Sequence, residues 1–145
     1  MVKPLRQFAF FVLLAATAAG CASGPRYDEY RAQLKPPGPG LGRVWFYRTS
    51  VLGLAVQPRV RLDDVDAGYA VPGGFFKVDV QPGDHVVKCT TEWTHQASIM
   101  VSTNQDSYVR LGMMMGLFVG HVVPEEVSES AATEEMRHLH LAAHD

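Results

Sequence analysis

From Leu41 onward the chain is cut into short apolar runs by turn residues that recur about every 10 residues, and that spacing constrains the fold more than any other feature. Arg43 to Thr49 holds Val44, Trp45, Phe46 and Tyr47, β-branched and aromatic side chains suited to a pleated strand. Val56, Val60 and Leu62 alternate with Gln57, Arg59 and Arg61, the period of two of a strand with one wet face. Asp63-Asp64, Pro72-Gly73-Gly74 and Gln81-Pro82-Gly83-Asp84 punctuate the next segments, Val65 to Val71 and Phe76 to Val80. Further strands are predicted over Val86 to Thr91, Ala97 to Ser102, Tyr108 to Met113 and Leu117 to Val123. The pattern implies a mainly β domain, an antiparallel sandwich or barrel of about seven to eight strands. Pro124-Glu125-Glu126 then places proline and acids where a helix can start, and a short C-terminal helix is predicted from about Ser130 to Leu139.

The N-terminus has a different texture. Lys3 and Arg6 precede an uninterrupted apolar run, Phe8 to Ala19, that ends in small residues. Charge, apolar stretch and small-residue exit together describe a secretory signal over residues 1–20. The run is too short for a membrane-spanning helix, which takes about 20 residues. Residues 21–41 follow with Pro25, Pro36, Pro37, Pro39 and several glycines, a composition expected to remain a flexible tether. Tyr27, Tyr30 and Leu34 are spaced for one face of a short helix within it. The domain itself is expected over residues 42–145.

Ala18-Ala19-Gly20-Cys21 resembles the lipobox of bacterial lipoproteins, with Ala18 where that motif usually has leucine. The resemblance implies that Cys21 receives a diacylglyceryl group on its sulfur, together with further acyl chains such as palmitate, and becomes the mature N-terminus. Several acyl chains anchor firmly where one alone is marginal. Ala22-Ser23 follow in place of the aspartate typical of inner-membrane retention, so the resemblance implies the periplasmic face of the outer membrane. Loss of Lys3 and Arg6 reduces the 13 bases to 11 against 15 acids, a net charge of −4. That excludes an electrostatic case for nucleic acid and leaves anchoring to the lipid.

Gly42-Arg43-Val44-Trp45-Phe46-Tyr47-Arg48, the pair of segments from Val60 to Ala67, the turn Val80-Gln81-Pro82-Gly83-Asp84-His85, and Ser107-Tyr108-Val109-Arg110 together resemble the DUF2846 family of bacterial lipoproteins. The similarity spans most of residues 42–125. It implies a small β-sandwich related to PEGA-type domains, and it supplies no catalytic residue.

Few residues carry chemistry by their pattern. His85 beside Asp84, His95 near Glu92, and Cys89 are the candidates for a small hydrolase or thiol enzyme. No serine stands in a nucleophile-elbow context, and the alternation that places Val87 and Cys89 on one face favours a buried thiol. His138, His140 and His144 could make a weak metal site, although no ligand stands at a recognised spacing. Arg48, Arg59, Arg61 and Arg110 could gather on one face as an anion-recognising set. The apolar segment 111–123 repeats glycine at 112, 116 and 120 around three methionines, which cannot all face inward along a strand. It is the candidate surface for an envelope protein partner. The reading is therefore a non-enzymatic, lipid-anchored binding or structural module without cofactor or metal.

Overall fold

The computed structural model describes residues 21–118 and 120–143, so the signal segment 1–20 and His144 lie outside the described residues. The fold is mainly β: among the described residues nine strands form two sheets packed face to face, with two short helices. The strands are β1 (Gly42–Arg48), β2 (Arg59–Leu62), β3 (Val65–Tyr69), β4 (Gly74–Val80), β5 (Gly83–Thr90), β6 (Thr94–Val101), β7 (Asp106–Met115), β8 (Gly120–Val127) and β9 (His140–Leu141). The helices are α1 (Tyr27–Gln33) and α2 (Glu129–Met136). One sheet has five strands in the order β8-β7-β1-β4-β9, and the other has four in the order β3-β2-β5-β6. Most pairings are antiparallel, but β1–β7 and β4–β9 are parallel, so the larger sheet is mixed.

Between the sheets, Val44, Phe46, Phe76, Val109, Leu111 and Val122 of the larger sheet meet Val60, Leu62, Val87, Cys89, Ile99 and Val101 of the smaller. The opposite face of β1 is also covered. Trp45 and Tyr47, with Phe75 and Tyr108, pack beneath Tyr27 of α1 and Ala132, Met136 and Leu139 of the C-terminal segment. All seven residues of β1 are therefore buried, which accounts for a strand sequence that is apolar and aromatic on both faces.

The stretch expected to be an open tether is largely docked. Tyr27 is 1% exposed, and its ring meets Trp45 and Phe75 edge-on at centroid distances of 5.2 and 5.5 Å. Arg31 holds the helix from its polar side, donating to the Tyr27 hydroxyl, to the Tyr108 hydroxyl at 2.6 Å and to Glu129 at 3.2 Å. The aromatic contacts offset the ordering entropy that the Pro/Gly composition alone would leave uncompensated. Ahead of α1, backbone bonds run from Ala22 N to the Pro72 carbonyl and from Gly24 N to the Leu141 carbonyl. Residues 34–38, before a turn at Pro39-Gly40, run without regular structure.

Two further expectations are corrected at the C-terminal side. Pro124-Glu125-Glu126 does not start a helix but continues β8, with Pro124 opposite Leu111 and Glu125 opposite Arg110. A proline is tolerated there because β8 is an edge strand. The helix begins instead after Ser128, whose hydroxyl accepts from Ala131 N. Nor does the helix run to Leu139: it ends at Met136, and β9 beyond it pairs with β4.

Candidate functional site

The strand pairings define two ends of the sandwich. Arg48 lies opposite Gly74, Thr90 opposite Thr94 and Met115 opposite Gly120, while Arg59 pairs with Tyr69. The connections 49–58, 70–73, 91–93 and 116–118 therefore emerge together at one end. Cys21 is exposed at this same end, beside a hollow of about 210 Å³ that Gln57, Tyr69 and Val71 also line.

The loops of this end touch one another. The Thr91 hydroxyl is 2.8 Å from Nδ1 of His121 on β8. Gly53, at φ 65°, lies so close to the β7–β8 hairpin that a Cβ there would sit 3.1 Å from Cε of Met113. The 49–58 loop is held by Arg48, whose guanidinium is fully buried. Its Nη1 donates to the Val56 and Ala70 carbonyls at 2.6 and 2.8 Å, and its Nη2 to the Leu52 and Gly53 carbonyls at 2.6 and 3.2 Å. Burial lowers the Arg48 pKa, since these acceptors are neutral. With its polar backbone turned inward onto that cation, the loop presents Val51, Leu52 and Leu54 to solvent. The hairpin tip presents Met114, Met115, Leu117 and Phe118, and the 91–93 turn presents Trp93.

At the far end, His85 organises a turn. Its Nδ1 is 2.5 Å from Asp63 Oδ2 and its Nε2 is 2.8 Å from the Gln81 carbonyl, while Asp63 Oδ1 accepts from Val86 N at 2.9 Å. Both ring nitrogens face acceptors, which only the imidazolium can satisfy. Partial burial opposes that charge, but the bonds to Asp63 and Gln81 outweigh it and raise the His85 pKa. The Val86 amide first, and His85 second, hold the Asp63 carboxyl below the usual carboxylate range. Asp63 and Asp64 both take positive φ, 52° and 66°, the geometry of a tight hairpin turn between β2 and β3. An adjacent cleft of about 420 Å³ is lined by apolar residues including Leu62, Val65, Ala67 and Val78. The acids on its rim are engaged, Asp79 with Arg43 and Asp66 with Arg59 and Arg61.

The sequence candidates are thus dispersed. His85 is at the far end, whereas Cys89 and His95 face each other across β5 and β6 near the Cys21 end. Cys89 is 1% exposed, and burial pushes its thiol up to about 12, so it stays protonated and a poor nucleophile near neutrality. The His95 ring lies 5.5 Å from that of His121. His140 is taken up by the Gly24 carbonyl at 2.8 Å and His138 is exposed. Among the described residues no group of three or more histidine, cysteine or acidic side chains is placed to hold a metal. The four arginines do not gather either. Arg48 is internal, Arg59 and Arg61 bond Asp66, and Arg110 bridges Glu125 and Glu135 beside α2. Sequence reasoning missed Arg48 as an internal clamp and the convergence of the apolar loops. The charge-free run Thr49 to Gln57 was the available signal.

Fold and site together define a helix-covered β-sandwich with a largely apolar rim beside an exposed cysteine. The chain is similar to an uncharacterized protein of Haemophilus influenzae, at 25% identity over 146 residues that cover 97% of this chain and 87% of that protein. No protein-family model matches it.

Proposed function

We propose that this chain is a lipid-anchored, non-catalytic lipoprotein of the bacterial cell envelope, held by Cys21 on the periplasmic face of the outer membrane. Its sandwich serves there as a binding or structural module of the kind the DUF2846 resemblance implies. The observation that carries the reading is the position of Cys21. It follows a signal-like segment in sequence, and its side chain is exposed at the rim of the domain, where a modifying enzyme and a bilayer can both reach it. The non-catalytic part is supported by the duties of the candidate groups. His85 braces a turn, Cys89 is an internal thiol, and His140 fastens the chain ends.

The experiment is metabolic labelling of producing cells with an alkyne fatty acid, followed by mass spectrometry of the N-terminal peptide. Label on the wild-type protein that is absent from Cys21→Ala supports the reading. A wild-type protein with an unmodified Cys21 overturns it.

A further inference from the structure

We propose that the Cys21 end of the sandwich is a membrane-contact face, lying flush on the lipid surface with Trp93, Leu117 and Phe118 in the interfacial layer. The proposal deepens the anchoring reading and rests on lipidation at Cys21.

Three independent observations converge on it. The first is the distribution of exposed apolar side chains. Among the described residues, the large exposed ones are Val51, Leu52, Leu54, Tyr69, Trp93, Met114, Met115, Leu117 and Phe118 at this end, and only Val65 and Met100 elsewhere. Leu117 and Phe118 are 90% and 89% exposed, values that an unpartnered surface in water rarely sustains side by side.

The second is charge. Residues 49–57 and 111–124 contain no aspartate, glutamate, lysine or arginine, nor do residues 70–73 or 21–25. The acid at this end, Glu92, lies 3.9 Å from Nε2 of His121. A protein partner of ordinary composition would meet a polar or charged border around such a patch. A lipid surface requires none, and a tryptophan at the rim suits the headgroup level.

The third is distance. Ala22 N already bonds the Pro72 carbonyl, so one residue, about 3.8 Å of chain, separates the sulfur-bearing residue from the body of the domain. Acyl chains on Cys21 buried in a bilayer therefore bring this end, and no other, against the headgroups. The cation beside Tyr69, Arg59, is paired with Asp66, and with a net negative mature chain the contact is mainly apolar and insensitive to salt and to anionic lipid.

The chain has two tryptophans, and Trp45 is fully buried, so Trp93 is a natural reporter. The full-length lipidated protein is reconstituted in phosphatidylcholine vesicles, with and without lipids bearing a nitroxide near the head of the acyl chain. Trp93 emission is expected to fall at least two-fold with the nitroxide lipid and to be shielded from aqueous iodide, equally at low and high salt. Replacing a third of the phosphatidylcholine with phosphatidylglycerol should change neither result. A nitroxide label at Leu117→Cys is expected to show the oxygen-rich accessibility of a lipid environment, and one at Val65→Cys the accessibility of water.

Lipidated protein whose Trp93 is open to iodide and untouched by the nitroxide lipid overturns the proposal while leaving the anchor intact. Shielding in native membranes but not in pure lipid vesicles also overturns it, assigning the face to a protein partner. An unmodified Cys21 by mass overturns the anchoring reading and, with it, this one.

Discussion

Replacing Arg48 with methionine tests whether one buried cation holds the apolar loop in place. Methionine preserves much of the side-chain volume and removes the fork. Four hydrogen bonds to carbonyls are lost, at Leu52, Gly53, Val56 and Ala70. Bonds that involve a charged group contribute about 1.5–3 kcal/mol each, and a buried acceptor left orphaned costs about 1–3 kcal/mol. The Ala70 carbonyl is the acceptor whose bond is internal, whereas the loop carbonyls can turn to water once released. Against this, the variant no longer desolvates a guanidinium, a relief of several kcal/mol. The balance is a loss of about 2–4 kcal/mol, with the loop freed as well. Urea unfolding followed by Trp45 fluorescence measures the first effect, and hydrogen exchange of peptides covering 49–58 measures the second. Lysine makes the sharper contrast. It keeps a buried charge without the geometry to reach four acceptors, so it should destabilise at least as much as methionine near neutrality and recover as the amine loses its proton at higher pH. A methionine variant within about 0.5 kcal/mol of wild type, with unchanged exchange in the loop, would refute the clamp.

Tyr27→Ala should cost about 3–4 kcal/mol and expose residues 22–34 to proteolysis, because it empties the aromatic seat between Trp45 and Phe75; an untethered leash would show neither change in urea midpoint nor new cleavage. The His85–Asp63 pair gives stability a pH window. The raised His85 pKa means that its contribution is complete below about 6.5 and lost as pH climbs through the folded value, while the lowered Asp63 pKa means that its share is complete above about 4 and lost on acidification. The difference in urea midpoint between wild type and His85→Gln should accordingly be largest between those limits and shrink as pH rises beyond the ordinary histidine range; a flat difference removes the coupling. Cys89 in the lipidated protein should resist a thiol reagent at pH 8 and react once urea unfolds the domain, as a thiol pushed up to about 12 and shut in the core requires; prompt labelling of the folded protein contradicts that burial.

Where structure is written in nearest neighbours, the sequence is transparent. The alternation Phe76, Val78, Val80, the turn at Pro82-Gly83 and the aromatic run of β1 all point to a β-sandwich, and the sandwich is there. Distant partners are another matter. The helix α1 has Asp28 and Glu29 in its first turn and Arg31 in its last, but seven residues among prolines are too few to hold alone; its seat is made by Trp45, Phe75 and Tyr108. Pro124 reads as the start of a helix until it is known to lie on an edge strand. The turn at Asp63-Asp64 lacks the glycine of a typical tight hairpin, and its left-handed backbone is supported by His85 and Val86 from another strand. The apolar rim was half legible. Its three methionines predicted an exposed side chain, but that Val51, Trp93 and Phe118 meet at one end is a property of strand order.

The clasp between the two chain ends has a temporal meaning. Gly24 bonds Leu141, Leu141 bonds Pro25, Tyr27 bonds Leu139, and Arg26 bridges to His140. Residues 24–27 are gripped by residues 139–141, so this clasp closes only once a segment 116 residues downstream has been made. Until that moment residues 22–27 have no seat; afterwards they are stapled to the body of the domain, with Cys21 still exposed beside them. Sandwich first and clasp second is an order of events that the wiring of the fold itself favours.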